Sequence, residues 1–309
     1  SDQVSKFGLL NVFEEREDRI LYRNIERALF GKVQYANPIK TPDFSWNVNV
    51  NFSRNRSLVL SLYNDSQNLQ IASFQGGVSL NASVGEPYGV LKGKTWKFVN
   101  GEKLVKTNGR YDITTTTTNI IGNVNPDWIG GINNSLRYKN LTFNFLIDIK
   151  KGGSVFSLDQ YYGGATGVMP ESALVNDKGN PSRSTIAEGG GVIMPGVLAD
   201  GSKNTFRVES VYGTYGYSYN PANNFVYDAG FVKLREANLV YSLPKSIVRQ
   251  LGGVKGVDVS VFGRNLWIID KSVPYADPEE NLSAGNLQGY QSGAYPTTRS
   301  IGFNVKLVF

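Results

Sequence analysis

Residues 44–52 read Phe-Ser-Trp-Asn-Val-Asn-Val-Asn-Phe. Apolar and polar positions alternate without a break, which is the side-chain period of a β-strand. Leu141, Phe143, Phe145, Ile147 and Ile149 alternate with Thr142, Asn144, Leu146, Asp148 and Lys150. Val257, Val259 and Val261 alternate with Asp258, Ser260 and Phe262, and Ala237, Leu239 and Tyr241 close a segment that begins near Phe231. Ile301, Phe303, Val305, Leu307 and Phe309 form a last stripe of nine residues. That length matches the roughly nine to eleven residues a tilted membrane strand needs. The Thr114–Thr118 run has high β-propensity and is also expected to be strand. Glu14–Arg19 reads as a solvated charge run, and Ile20–Leu29 as helix or strand.

The polar face decides between a soluble sandwich and a membrane barrel. Asn47, Asn49 and Asn51 would each need a partner in a dry core. In a barrel they face a wet lumen while the apolar face meets lipid. The pattern therefore predicts an all-β transmembrane antiparallel β-barrel, with about ten strands placed along the chain. No apolar run in the 309 residues approaches the roughly 18 of a membrane helix.

Strand parity orients the loops. With Phe309 at the periplasmic end, 270–296 is an extracellular loop and 242–256 a periplasmic turn built around Pro244, Gly252 and Gly253. The tight link at Tyr138–Leu141 is then periplasmic. An even number of spanning strands lies between 151 and 230, and the simplest number is zero. That stretch becomes one extracellular excursion, with Thr205–Tyr219 as local structure inside it.

Composition narrows the chemistry. With 34 Gly, 16 Phe, 17 Tyr and 4 Trp, the chain has the turns and aromatic belts of a barrel. Absent Cys and His remove disulfides, thiolate and imidazole metal sites and the usual hydrolase triads. The net charge of +6 is not gathered into a stripe, so nucleic acid is not an expected partner. No signal peptide opens the sequence, as expected of a mature chain or a fragment. Gly85-Glu-Pro-Tyr-Gly89 lacks the Lys-Ser/Thr of a phosphate loop and reads as a turn. Asp270, Asp277, Glu279 and Glu280 could ligate calcium, but their spacing fits no EF-hand, and solvated loop carboxylates are favoured. Tyr161, Tyr162, Tyr212, Tyr215, Tyr217 and Tyr219 gather in the long excursion. They could stack on a sugar or a protein partner; packing of the loop on itself is the competing and slightly favoured reading. Gly189-Gly190-Gly191 marks a mobile or closely packed loop. No carboxylate pair has glycosidase spacing, and no enzyme activity, cofactor or metal is expected.

Several motifs then resemble a known family. Phe231-Val-Lys-Leu-Arg-Glu-Ala-Asn-Leu-Val-Tyr-Ser-Leu-Pro-Lys-Ser246 is similar to the C-terminal signature of SusC/RagA-type TonB-dependent transporters. Gly263-Arg-Asn-Leu-Trp267, Tyr275-Ala-Asp-Pro-Glu279 and Tyr295-Pro-Thr-Thr-Arg299 follow in the family's order. Upstream, Val84–Gly89, Gly122–Asp127 and Tyr138–Asn140 match in the same order, so the resemblance covers 43–309. Leu239-Val240-Tyr241 departs from the family's Leu-Gly-Tyr. The resemblance implies the C-terminal part of a 22-stranded barrel, with no counterpart here to the plug domain, the TonB-contacting segment or half the barrel. Residues 1–35 look compressed against the family pattern, as if residues were absent near 31–35. The implied setting is the outer membrane of a Gram-negative cell (Bacteroidota), with a periplasmic C-terminus. The implied activity is TonB-dependent import of oligosaccharides or peptides. The implied partners are a SusD-like surface lipoprotein, TonB, the rest of the barrel and plug, and outer-membrane lipid. An autonomous porin or adhesin barrel, an outer-membrane enzyme and a soluble carbohydrate-binding sandwich are the competing readings.

Overall fold

Every strand pattern singled out above, the threonine run excepted, falls in one eight-stranded antiparallel sheet. The computed structural model describes residues 7–12, 22–209, 215–282, 285, 287–295 and 297–309, with side chains from residue 39 onward. The wall strands in chain order are β1 (Phe7–Val12), β2 (Tyr22–Lys40), β3 (Phe44–Leu62), β4 (Trp128–Tyr138), β5 (Leu141–Lys151), β6 (Phe231–Ser242), β7 (Gly256–Lys271) and β8 (Ser300–Val308). They pair in that same order, and β1 and β8 stand at the two open edges. The sheet thus holds eight strands among the described residues, not about ten. Ile20–Leu29 resolves as strand from Tyr22 onward, and β2 runs unbroken through 31–35. Glu14–Arg19 lies outside the described residues. Among the described residues no helix is long and apolar enough to cross a membrane.

Register makes the alternation collective. Trp46 faces Leu136, which faces Phe143, which faces Leu239, which faces Val261, which faces Phe303. Six strands therefore contribute to one continuous apolar face. Phe303 is 79% exposed on it, as a surface meant for a non-aqueous solvent would be. Asn134 is the polar intruder on that face. It is buried, and its Oδ1 accepts from the Trp46 indole N–H at 3.2 Å. The opposite face carries Asn49 against Asn133, Asn47 against Ser135 and Asn144 against Asn238. Phe262 is an aromatic on this face, and its ring lies across Gly302 on β8. A Cβ at Gly302 would sit 2.7 Å from the ring. Gly302→Val should therefore destabilise the β7–β8 edge by about 1–3 kcal/mol. Adding Phe262→Leu should recover much of that loss in detergent thermal melts.

Short and long connections segregate to opposite ends. At one end β3 follows β2 after 41–43, and β4 turns into β5 over two residues with Lys139 at φ +51°. The connection between β6 and β7 at that end contains the helical turn Lys245–Val248, followed by a 3-10 turn at Arg249–Leu251. At the other end lie three excursions, 63–127, 152–230 and 272–299. β5 and β6 are direct neighbours, and among the described residues of 152–230 the number of wall strands is zero.

The excursions fold together. Strands Asn68–Phe74, Val78–Ser83, Val90–Gly93 and Asn119–Asn123 form a sheet within the first. A second sheet joins Ser154–Ser157 and Val226–Asp228 from the second excursion to Tyr290–Gln291 from the third. One core draws Phe74, Leu80, Leu91 and Ile121 from the first excursion, Phe156 and Phe225 from the second and Tyr290 from the third. The stretch 63–127, which strand parity does not single out as it does 151–230 and 270–296, is an excursion of the same kind. The Gly85–Gly89 segment is the expected turn, with φ of +81° and +87° at its glycines. Thr114–Thr118 is not a strand. Its hydroxyls bind locally instead: Thr114 Oγ1 donates to the Thr116 carbonyl at 3.2 Å, and Thr118 N donates to Thr116 Oγ1 at 3.0 Å. Such bonds offer the backbone an alternative to a ladder.

Candidate functional site: a charged clasp between wall and cap

The alternation in β6 contains a conflict. Counting back by twos from Tyr241, Leu239 and Ala237 places Arg235 and Lys233 on the apolar face. The structure resolves it with a bulge. Arg235 has no opposite residue in the ladder with β5 or in the ladder with β7, where pairing steps from Leu234 to Glu236. One unpaired residue shifts the phase and re-aims the side chains before it. Asn265 on the facing strand takes φ +50°, within the matching irregularity of β7. Both cations consequently point inward.

They meet carboxylates from two other elements. Lys233 Nζ lies 2.6 Å from Asp277 Oδ1 and 2.5 Å from Glu279 Oε2. Arg235 holds Glu279 with both terminal nitrogens at 2.8 Å and donates through Nε to Asp148 Oδ2 on β5 at 2.9 Å. Thr297 donates to Asp277 Oδ2 at 2.5 Å, and Asn265 Nδ2 donates to the Thr298 carbonyl at 3.3 Å. The four C-terminal motifs quoted from the sequence thus supply one network. Phe231–Ser246 gives the cations, Gly263–Trp267 the bulge partner, Tyr275–Glu279 the anions and Tyr295–Arg299 the closing hydroxyl.

The Lys233 and Asp277 side chains are only 5% and 6% exposed. Burial works against charge on Asp277. The Lys233 ammonium, the Thr297 hydroxyl and the Glu279 N–H together outweigh it and hold the carboxyl below its usual range. Glu279 behaves alike, burial being overcome by Arg235 and Lys233. Asp277 and Glu279 are thus the anions of an internal ion-pair network and not the solvated loop carboxylates that their spacing suggests. Glu280 is also engaged, accepting from Ala294 N at 2.8 Å. Among the described residues no group of three or more acidic side chains is placed to hold a metal.

The tyrosines divide. Tyr161 and Tyr162 sit on the helix α1 (Leu158–Thr166), whose N-cap Ser157 accepts from Gln160 N. Tyr161 stacks on Tyr217 at 4.9 Å and meets Tyr162 edge-on at 5.2 Å. Its other neighbours are Phe156 and Phe225 of the cap core. Burial, then the neighbouring Tyr162 and Tyr217, push its hydroxyl pKa upward. Tyr162 accepts from Gln75 at 2.6 Å. Tyr217 is 43% exposed. Tyr219 lies apart, under the Arg110 guanidinium at 4.2 Å. Tyr215 is half-buried, and burial raises its pKa against the effect of a Ser182 hydrogen bond. Tyr212 is outside the described residues. Three of the six therefore form one cluster, and that cluster is largely the cap packing on itself.

One apolar face, one polar face and long excursions at one end define the class: an open antiparallel β-sheet, shaped as a section of a β-barrel wall, with a folded cap. No family model matches the chain. It is 28% identical over 302 residues to TonB-dependent receptor P26 of Formosa agariphila, covering 88% of this chain. It is 27% identical over 299 residues to TonB-dependent receptor P3 of the same organism, covering 87%. The chain spans 28% and 27% of the length of those two relatives. Among solved structures it resembles the RagAB peptide transporter, with a TM-score of 0.63 at 15% identity over 93% of this chain and 29% of that one. The RagAB peptide importer in its open-open state gives 0.60 at 18% identity, over 93% of this chain and 28% of that one. The chain resembles TonB-dependent receptors in sequence and a section of the SusC/RagA-type transporter barrel in fold. These relatives are receptors and transporters, not enzymes.

Proposed function

We propose that this chain is the C-terminal wall of a 22-stranded outer-membrane barrel that imports oligosaccharides or peptides in a TonB-dependent manner. The observation that carries the proposal is the register-aligned apolar face backed by an Asn- and Ser-lined inner face. The likeness to TonB-dependent receptors supports the energy source, and the likeness to RagAB supports a peptide-sized cargo and a lipoprotein lid of the SusD type. In this reading the excursions are extracellular, the short connections and the C-terminus are periplasmic, and the plug belongs to the rest of the protein. Tyr162 and Tyr217 are the aromatic cap residues we assign to cargo or lid contact. An autonomous porin or adhesin is disfavoured because, among the described residues, the sheet is open at β1 and β8 and would leave backbone groups unpaired in a bilayer.

Uptake of fluorescent peptides and oligosaccharides by cells carrying the full-length gene tests the reading. Import should cease when TonB is deleted, and TonB-independent uptake would overturn it. The membrane face has its own test in two adjacent residues. Val305 is on the apolar stripe and Asn304 on the polar face. Val305→Lys should cost about 2–4 kcal/mol of barrel stability if it sits near the bilayer midplane. Asn304→Lys should be close to neutral in the same urea titration in lipid vesicles.

A further inference from the structure

Where β3 parts from β4, the outward face changes chemistry. Phe52 and Trp128 end the apolar band there, their rings 5.7 Å apart. The next outward positions on β3 are Arg54 and Arg56, and Lys151 on β5 stands opposite Trp128 in register. All three cations are exposed. Arg56 Nη2 meets Asp127 Oδ1 at 2.9 Å, and that pair is half-exposed on both sides. The side chains of Arg54 and Lys151 have no hydrogen-bond or ion-pair partner among the described residues.

A notch of about 150 Å³ opens beside this rim. The β3–β4 ladder stops at the Ser53–Ile129 pair, and beyond it the edge of β3 diverges from segment 123–128. Ser53, Asn55, Arg56, Asn123, Asn125 and Trp128 line the gap. Pro87, Pro126 and Ile129 also line it, so a hydroxyl, amides and a guanidinium stand beside apolar surface, a mixture that suits a polar headgroup on a short carbon skeleton.

We propose that this rim binds the phosphorylated headgroup of an anionic lipid. The phosphate is held by Arg54, Arg56 and Lys151, the polar remainder of the headgroup enters the notch, and the acyl chains lie on Phe52, Val50 and Ile132. Guanidinium forks match phosphate oxygens two at a time. Aromatic rings mark the level where headgroup meets hydrocarbon. The exposed Arg56–Asp127 pair is a weak competitor for that phosphate. The proposal rests on the membrane reading above.

The test uses the full-length protein in nanodiscs of phosphatidylcholine doped with phosphatidylglycerol. Native mass spectrometry after release counts the lipids retained. Wild type should keep phosphatidylglycerol in preference to phosphatidylcholine. Arg54→Gln/Arg56→Gln/Lys151→Gln should keep at least about tenfold less of it, and excess inorganic phosphate should not displace it from wild type. Equal retention by the variant overturns the site. Displacement by inorganic phosphate alone also overturns it, in favour of a free-anion site. Arg54→Gln and Lys151→Gln singly break no hydrogen bond or ion pair among the described residues, so each should lower retention even if the triple variant fails to fold. A wild-type protein that never enters the nanodisc brings down the membrane reading and this site with it. Entry without lipid preference brings down this site alone.

Discussion

Lys233→Met is expected to release the 272–299 excursion from the wall. The substitution leaves Asp277 buried at 6% side-chain exposure with its cation gone. Breaking one side of a buried pair costs about 3–5 kcal/mol, because the remaining charge is stranded. The loss is local: Glu279 keeps Arg235, and β6 keeps both ladders. The readout is therefore protease cleavage within 272–299 of the full-length protein in detergent, with the folded barrel still resistant to SDS at room temperature. Lys233→Met/Asp277→Leu removes both charges and should restore most of the protection, since an apolar pair of similar volume is often neutral. If the double variant is cleaved as fast as the single, the ion pair is not what fixes the loop. Acid should mimic the single variant. Asp277 and Glu279 have folded pKa values below their unfolded ones. Their stabilisation is thus complete above the ordinary carboxylate range and is lost as pH falls through the depressed values. Cleavage should stay slow at neutral pH and rise only in acid.

The clasp also shows where the sequence stopped being legible. Alternation in 44–52, 141–150, 257–261 and 301–309 placed those strands and their faces, because a strand's period is two and lipid tolerates few polar exceptions. It could not place Lys233 and Arg235. A bulge is a single residue that changes the count, and nothing in Leu234-Arg235-Glu236 marks it except that two cations would otherwise face lipid. That cost was the available signal. Asp277 and Glu279 were read as loop carboxylates for a related reason: their partners are 44 and 46 residues earlier, and only register brings them together. The Thr114–Thr118 run failed through chemistry, since a threonine's β-propensity and its hydroxyl's appetite for nearby backbone point in different directions. The excursion 63–127 was missed because its strands carry the same alternation as the wall. What distinguishes them is burial on both faces, as in Val78–Ser83, where five of six residues are buried.

Phe156→Ala is expected to separate cap from wall in a second way, through the core and not through charge. Phe156 is fully buried, its ring near those of Tyr161 and Tyr290 at 5.6 Å each. It stands in the short strand that joins the second excursion to the third, with Tyr290 across the parallel pair. Removing a buried phenyl costs about 3–5 kcal/mol when the site cannot collapse. Collapse is hindered here because the lining comes from three excursions, each anchored separately to the wall. The wall contributes nothing to this cluster, so insertion should be unchanged. What should be lost is the arrangement of Tyr161, Tyr162 and Tyr217, which is built on Phe156 and Phe225. Hydrogen exchange on the full-length protein should show faster exchange in 154–167 and 222–228, with β5 to β8 protected as in wild type. Cargo or lid binding should weaken with it if the tyrosine cluster is the contact surface. Phe156→Leu, which keeps most of the volume, should retain both. Binding intact in Phe156→Ala despite fast exchange would move the contact surface off this cluster. Protection lost equally in wall and cap would mean that the two fold as one unit, and that the cap core supports the barrel as well as the reverse.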